Sequence, residues 1–334
     1  MTDPLIALDQ ASKTFERRID LAGRIANVFG AGLKDIRLQA VDRVDLSVSK
    51  GEIVGLVGES GCGKSTVGRL VAGIHSPSAG RVLWRGMDVA SLDDAGRRAC
   101  TLGIQMIFQD PMASLNPRMR AGDIVAEAAL VHGLFGADER EERVAAAFSR
   151  VGLDPSYARR YPHQFSGGQR ARIGIARALA VEPEVLVCDE SVAALDVSIQ
   201  AQVLNLFMDL GEQLGLSYLF ISHDLGVVRH IASRVIIMYL GRVVETARTE
   251  ALFDAPAHPY TRALLDNVPR LDARHRSFAT IKGEIPSPIN PPPGCHFHPR
   301  CPLVGPRCRA EVPALKAGPH GGTVACHLND GGTA

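Results

Sequence analysis

Short apolar runs, separated by polar and glycine-containing turns, mark the first half of the chain. Residues 5–15 predict a first strand, residues 41–48 alternate apolar and polar side chains as a half-buried strand does, and residues 53–57 form a short apolar run before a glycine-rich loop. The charged, glycine-containing segment 16–37 separates the first two runs. We expect this segment to be a surface elaboration, in which residues 20–33 form either a short amphipathic helix or a flexible insertion.

The second half of the chain alternates between helical and strand-like patterns. Residues from about 108 to 182 are mainly helical in pattern, and apolar runs typical of buried strands return at 185–188, 218–222, 234–239 and 242–246. This alternation favours an α/β fold with a largely parallel sheet, into which the helical segment is inserted as a subdomain. Proline density rises after residue 255. We therefore predict a core domain of residues 1–255 and a small Pro- and Cys-rich extension of residues 256–334.

Charge and hydropathy exclude several functional classes. The 37 basic and 36 acidic residues nearly cancel, whereas a nucleic-acid-binding surface usually shows an excess of Lys and Arg. No apolar run approaches the roughly 20 residues that a membrane-spanning helix needs. The N-terminal residues also lack the basic and apolar regions of a signal peptide. We therefore expect a cytoplasmic protein that does not bind nucleic acid and that reaches a membrane only through a partner.

The glycine-rich loop that follows residues 53–57 matches the phosphate-binding pattern G-x-x-x-x-G-K-[ST]. Its glycines let main-chain N–H groups converge on phosphate oxygens, and the helix that begins there adds partial positive charge. Lys64 is placed to reach the β- and γ-phosphates, Ser65 to offer its hydroxyl to Mg²⁺, and Thr66 to bond a neighbouring phosphate. The predicted nucleotide-binding residues of the loop are Gly58, Glu59, Ser60, Gly61, Cys62, Gly63, Lys64, Ser65 and Thr66.

Two carboxylates follow a later apolar run. A phosphate loop alone would also fit a kinase, a GTPase or a helicase, so a second element is needed. The run 185–188 ends in Asp189 and Glu190. Asp189 is placed to hold Mg²⁺, directly or through water, and Glu190 to orient and polarise an attacking water. This pair therefore predicts a site that hydrolyses a nucleotide.

Residues 165–169 read FSGGQ and precede a basic helical stretch, RARIGIARALA. Together with the phosphate loop, this segment resembles the LSGGQ signature loop of the ABC transporter ATPases, with Phe165 in place of Leu. The resemblance implies a P-loop ABC ATPase domain with a mixed sheet, an inserted helical subdomain and the C-terminal extension. It also implies a head-to-tail dimer, in which the signature loop grips the γ-phosphate of ATP bound by the opposite subunit. The residues implied in that contact are Ser166, Gly167, Gly168 and Gln169.

Further residues match other family positions. Gln109, in the stretch IFQD, matches the Q-loop that senses the γ-phosphate and Mg²⁺ and contacts the membrane partner. His223, in FISHD, matches the switch histidine, and Asp196 matches the D-loop aspartate. Phe15 falls where the family places an aromatic ring under adenine. The resemblance thus implies Glu190, His223 and Gln109 as catalytic residues, and it implies Mg²⁺ ligands at Ser65, Gln109 and Asp189.

Two positions depart from the family pattern. The family usually continues Asp-Glu with Pro and then Ser-Ala-Leu-Asp, whereas this chain has Ser191 and Ala193 at the Pro and Ser positions. Ser191 leaves the main chain after Glu190 less restricted, and Ala193 removes a hydroxyl near the dimer contact. Because the other implied residues are present, we expect a competent ATPase whose rate these changes can lower.

The resemblance extends over nearly the whole chain outside residues 16–37. The stretches DPMASLNPRM, AHPYT and IPSPINPPPGCHFHPRC resemble the importer branch for oligopeptides, dipeptides and nickel, most closely its dipeptide-type second ATPase subunit. This implies an ATP-hydrolysing importer subunit at the cytoplasmic face of the membrane. The implied partners are a second, different ATPase chain, two permease subunits and an extracytoplasmic solute-binding protein. The alternatives are nickel or another solute, a soluble ABC ATPase, and a non-hydrolysing nucleotide sensor.

The seven cysteines are unevenly distributed. Cys62 lies in the phosphate loop, where we expect it to face solvent; alternatively, its oxidation would block nucleotide entry. A cytoplasmic location argues against disulfides among the clustered cysteines and favours a metal. Their spacings are wider than those of a typical zinc site, and the resemblance implies a [4Fe–4S] cluster. The alternatives are zinc, or reduced or disulfide-bonded cysteines without a metal. The four cysteines of this cluster are Cys295, Cys301, Cys308 and Cys326.

Overall fold

The computed structural model describes residues 4–17, 19, 35–267 and 283–329. Most of the segment 16–37, including the stretch 20–33, lies outside the described residues. Within the described residues the strands are β1 (Ile6–Arg17), β2 (Ile36–Val48), β3 (Ile53–Val57), β4 (Ala79–Trp84), β5 (Met87–Asp88), β6 (Ile104–Ile107), β7 (Val185–Asp189), β8 (Ser217–Ser222), β9 (Arg234–Tyr239), β10 (Arg242–Arg248), β11 (Lys316–Ala317) and β12 (Thr323–Val324).

The main sheet has the strand order β11-β12-β10-β9-β3-β8-β7-β6. Strands β9, β3, β8, β7 and β6 pair in parallel, as the alternation of strands and helices predicts. Every residue of β7 and β8 is buried, because helices and the second sheet cover both faces of the parallel centre. Strand β10 pairs antiparallel with β9 and with β12, so the sheet is mixed, as the family resemblance implies.

A smaller antiparallel sheet, with the order β2-β1-β4-β5, lies beside the phosphate-binding region. Strand β2 begins at Ile36, five residues before the predicted start at 41. Strands β4, β5 and β6 are not predicted by the hydrophobic pattern. The first three residues of β4 are exposed, and β6 has four residues that directly follow a helix, so neither shows a clear alternation.

The helices connect the strands and cover the main sheet. The segment 108–182 is mainly helical, as its pattern predicts, and it packs with β7 and β8 in one apolar core that includes Phe148, Ile173 and Phe207. No helix within the described ranges is long and apolar enough to cross a membrane. The helices are α1 (Lys64–Val71), α2 (Asp94–Gly103), α3 (Pro111–Ser114), α4 (Ala121–Val131), α5 (Arg140–Arg150), α6 (Gly167–Leu179), α7 (Val197–Leu214), α8 (Leu225–Ile231), α9 (Thr249–Asp254), α10 (Pro259–Asp266) and α11 (Pro306–Ala310).

The C-terminal extension is joined to the main sheet. Strand β12 pairs with β10 through Glu245 and Thr246. Phe297 is buried against Tyr239 of β9 and Tyr260 of α10, with ring centroids 5.3 Å from each. The division between residues 255 and 256 stays a prediction, and these contacts connect the two sides of it.

Phe207 of α7 provides a test of the core. Its side chain is fully buried and meets Tyr218 and Phe220 edge-on, with ring centroids 5.9 Å apart in both pairs. Phe207→Ala is expected to lower the free energy of unfolding by about 3–5 kcal/mol, because it removes the ring and leaves a cavity. Chemical denaturation of the purified chain measures this loss. The control is Val131→Ala at a position that is 77% exposed, and an equal loss in both variants would contradict the packing described here.

Candidate nucleotide-binding site

The phosphate loop runs from the end of β3 to the start of α1, and two of its glycines are required by the backbone. Gly63 has a φ of 107°, and a Cβ added there would lie 2.2 Å from the main-chain oxygen of Ala40. A Cβ on Gly58 would lie 2.2 Å from the main-chain oxygen of Met238. Any side chain at either position would therefore displace the loop from the strands behind it.

Lys64 occupies the centre of this loop. Its side chain is buried, and Nζ donates hydrogen bonds to the carbonyl oxygens of Gly58 (2.8 Å) and Glu59 (3.1 Å). Nζ also lies 4.0 Å from Oε1 of Glu190. The ammonium thus sits at the N-terminus of α1, where the helix dipole and free N–H groups favour an anion. This arrangement suits the β- and γ-phosphates of a nucleotide.

Ser65 and Asp189 form the metal side of the site. Ser65 Oγ donates to Oδ1 of Asp189 at 2.9 Å. Burial raises the pKa of Asp189, and the neighbouring Glu190 carboxylate raises it further, against the lowering effect of the Ser65 hydrogen bond. Hydroxyl and carboxylate oxygens are ligands that Mg²⁺ prefers, and a cation would stabilise the ionised carboxylate. The donor set therefore fits Mg²⁺.

Glu190 is the point at which the predicted catalytic residues meet. Its carboxylate accepts a hydrogen bond from Nε2 of Gln109 (2.9 Å) and lies 3.4 Å from Nδ1 of His223. Its own φ is 46°, an uncommon conformation for a residue with a side chain. The structure therefore brings Gln109, Lys64 and His223 around one carboxylate. Gln109 contacts Glu190 in this arrangement, and its implied role as an Mg²⁺ ligand stays a prediction.

The signature segment forms the N-terminal turn of α6. Ser166 Oγ accepts from the main-chain N–H of Gln169 (3.3 Å), and Gln169 Oε1 accepts from the N–H of Ser166 (3.0 Å), which makes a capping box. Phe165 is buried and meets Tyr157 edge-on, so an apolar ring replaces the family's Leu as a core anchor. Ser166 and Gly167 are exposed. The turn thus presents polar groups at the start of a helix, outside the core.

The remaining predicted residues lie in more varied surroundings. Asp196 caps α7, because its carboxylate accepts from the N–H of Ile199 at 3.0 Å. Phe15 is 36% exposed near the end of β1, and its ring meets His75 edge-on. Ser191 is buried, and its hydroxyl has no hydrogen-bond partner in the part of the chain that the structure describes, whereas Ala193 is exposed. The roles implied for Phe15 and Asp196 stay predictions.

The position of Cys62 contradicts the expectation that this side chain faces solvent. Its side chain is 3% exposed and packs in the core with Met238 and Val67, so it does not face solvent. Burial raises the pKa of the thiol, which disfavours the reactive thiolate. The sequence pattern did not reveal this, because Gly61 and Gly63 on either side of Cys62 have positive φ, and in such an irregular loop the alternation of residues does not predict which side chains face inward.

The four C-terminal cysteines line one small cavity, together with His258, His298 and His327. Burial raises the pKa of Cys295 to about 11 and also raises the pKa of Cys301 and Cys326. Among the described residues, however, no three His, Cys, Asp or Glu side chains are grouped so that they could hold a metal ion. The structure therefore brings the four cysteines to one place but does not support the predicted [4Fe–4S] cluster.

Sequence reasoning missed two residues that contact the phosphate loop. Tyr260 of α10 accepts a hydrogen bond through its hydroxyl from the main-chain N–H of Glu59 (2.9 Å). Arg300 forms an ion pair with the Glu59 carboxylate. Both lie more than 200 positions from Glu59 in the chain. The stretches AHPYT and IPSPINPPPGCHFHPRC contain them, but these stretches indicate the importer branch and not a contact with the phosphate loop. The available sequence signal was Glu59, an acidic residue in a loop that binds phosphate, because such a charge favours a nearby basic residue.

Comparison with known proteins identifies the family that this chain resembles. The family model described as ABC transporter matches residues 41–193, and the model described as oligopeptide/dipeptide transporter, C-terminal region, matches residues 244–308. Among solved structures, the ATP-binding cassette MJ0796 in a dimeric post-hydrolysis state bound to ADP and Pi has a TM-score of 0.61. The two sequences are 27% identical, and the matched region spans 73% of this chain and 98% of the MJ0796 chain.

Curated relatives are more similar in sequence. The oligopeptide transport ATP-binding protein AppF of Bacillus subtilis is 52% identical over 295 residues, 87% of this chain and 90% of that protein. OppF of Escherichia coli, an oligopeptide transport ATP-binding protein, is 50% identical over 84% of this chain and 85% of its own length. DppF of Haemophilus influenzae, a dipeptide transport ATP-binding protein, is 48% identical over 89% of this chain and 91% of its own length. The chain belongs to the ABC transporter ATPases, in the group that carries the oligopeptide/dipeptide transporter C-terminal region.

Proposed function

We propose that this chain is the ATP-binding and ATP-hydrolysing subunit of an importer for dipeptides or oligopeptides. The observation that carries the proposal is the convergence of Lys64, Gln109 and His223 on Glu190, beside the Ser65–Asp189 pair. The names of the curated relatives support peptides as the solute, and the match to the C-terminal region supports the same class.

Each residue of the site has a distinct role in the proposed reaction. The main-chain N–H groups of the loop and Lys64 bind the phosphates, and Ser65 and Asp189 would hold Mg²⁺, which neutralises charge on the phosphates when it is bound. Glu190 orients a water for attack on the γ-phosphorus and accepts a proton from it. Gln109 and His223 contact the Glu190 carboxylate and would fix its direction, and the role proposed for His223 is to bind a γ-phosphate oxygen. The exposed Ser166 turn completes the site of a second ATPase subunit.

The proposed partners are supported by this arrangement and by the family. One cassette exposes both a phosphate loop and a signature turn, so two cassettes facing head to tail would enclose two nucleotides. Because members of this branch typically pair two different ATPase chains, we propose a heterodimer. Two permease subunits and an extracytoplasmic solute-binding protein complete the assembly. The chain then works at the cytoplasmic face of the membrane, and the permease and the binding protein select the solute.

Purification of the assembled complex tests the proposal. A tagged chain extracted from membranes in detergent is expected to retain two permease subunits and a second cassette. After reconstitution into vesicles, the complex and its binding protein are expected to accumulate labelled dipeptide or oligopeptide only when ATP is present. Retention of ribosomes or nucleic acid in place of permeases would contradict the importer, and ATP-driven uptake of nickel alone would contradict the peptide substrate.

Glu190→Gln tests the hydrolytic step. The amide keeps the size of the side chain but cannot accept the proton, so the hydrolysis rate of the complex should fall about 10²–10⁴-fold. Binding of ATP should be retained, because Lys64 and the loop are unchanged. The matched control is Glu212→Gln on the exposed side of α7, which should hydrolyse ATP at the unmodified rate. A Glu190→Gln complex that keeps the full rate would remove Glu190 from catalysis.

The iron–sulfur cluster belongs to the same proposal. The family resemblance supports it, and the four cysteines line one cavity, although they are not grouped there as metal ligands. Protein purified without oxygen is expected to be brown and to contain iron and acid-labile sulfide, both lost in Cys301→Ser. The control is Cys100→Ser, which changes a cysteine of α2 outside that cavity and should keep both. Colourless protein with one equivalent of zinc would rule the cluster out.

A further inference from the structure

Arg300, a buried residue of the C-terminal extension, forms an ion pair with Glu59 of the phosphate loop. Nη1 of Arg300 donates to Oε2 of Glu59 at 2.6 Å, and Nη2 donates to Oε1 at 2.9 Å, so the contact is bidentate. The Arg300 side chain is only 4% exposed and that of Glu59 22%. A bidentate ion pair of this kind balances the charge of the carboxylate and also fixes its orientation, because the two hydrogen bonds are parallel.

Two tyrosines make this contact rigid. The hydroxyl of Tyr260 accepts from the main-chain N–H of Glu59 (2.9 Å), and the hydroxyl of Tyr239 lies 3.4 Å from Nη1 of Arg300. The rings of Tyr239 and Tyr260 are 4.7 Å apart and both pack on Phe297. Packed aromatic rings exclude water, so the charges interact more strongly than they would at the surface.

Glu59 connects this cluster to the phosphate-binding lysine. Its main-chain oxygen accepts from Nζ of Lys64, while its carboxylate and its N–H are held by Arg300 and Tyr260. Every polar group of Glu59 therefore has a hydrogen-bond partner, and residues of the extension bind two of these groups, the carboxylate and the N–H. Glu59 also places a negative charge in the loop that must receive a triphosphate, and Arg300 offsets that charge.

We propose that Arg300 and Tyr260 are positioning residues for ATP, which hold the first turn of the phosphate loop and neutralise Glu59. The inference deepens the proposed function and rests on it, because it assumes that the loop binds ATP. It assigns the extension a direct part in nucleotide affinity. A purely architectural role, in which Arg300 only attaches the extension, would affect stability and leave the affinity of the folded chain unchanged.

Binding of a fluorescent ATP analogue with Mg²⁺ to the intact chain separates these roles. Arg300→Met removes the charge at similar length, and the dissociation constant should rise about 3- to 30-fold. Arg300→Lys keeps the positive charge but loses the bidentate hydrogen bonds, and it should raise the dissociation constant less. Arg300→Met combined with Glu59→Gln should recover most of the affinity, because no uncompensated carboxylate remains. In the assembled complex, Arg300→Met should raise KM for ATP more than it lowers kcat.

Two further variants keep the inference falsifiable. Tyr260→Phe retains the packed ring but loses the acceptor for the Glu59 N–H, and it should weaken binding even if Arg300→Met does not fold. Arg307→Met is the matched control, since Arg307 of the same extension forms an exposed ion pair with Glu311. Unchanged affinity in folded Arg300→Met and Tyr260→Phe, or an equal loss in Arg307→Met, would overturn the inference. Failure of the unmodified chain to bind the analogue would instead refute the proposed function.

Discussion

The burial of one ammonium group organises the nucleotide site. A charged amine away from water is costly unless polar groups surround it. Nζ of Lys64 has the carbonyl oxygens of Gly58 and Glu59 as partners and the Glu190 carboxylate at 4.0 Å. These partners come from the loop after β3 and from the residue that follows β7, so the charge of Lys64 lies where the two strands end at the same edge of the sheet. A triphosphate supplies stronger acceptors at the same place.

The local motifs of this site could be predicted from the sequence, because each lies within a few residues of chain. The phosphate loop, the Asp189–Glu190 pair and the Ser166 turn depend on adjacent residues, and their elements are found where the pattern predicts them. Strands β4–β6 could not be predicted, because exposed or very short strands show no alternation. The Arg300–Glu59 contact spans 241 positions, and its existence depends on how the extension folds back.

The conformation of Glu190 shows how the fold constrains catalysis. A positive φ at a residue with a side chain costs of order 1–3 kcal/mol and persists only where neighbours determine it. Here the N–H of Glu190 donates to the carbonyl of Ile221 (3.0 Å), and the carbonyl of Glu190 accepts from the N–H of Ala193 (3.1 Å). The turn is thus held by main-chain bonds, so the absence of the family's Pro at Ser191 leaves the carboxylate in place beside Lys64.

One short segment of the extension contacts the phosphate loop. Phe297 lies between Cys295 and Arg300 in the chain and packs on Tyr239 and Tyr260, whose hydroxyls meet Arg300 and Glu59. The same short segment therefore lines the cysteine cavity on one side and supports the phosphate loop on the other. Packed rings and a bidentate ion pair thus form a continuous set of contacts from Cys295 and Cys301 to Arg300 and Glu59. The order of the cysteine cavity and the geometry of the loop that binds ATP are for this reason physically linked.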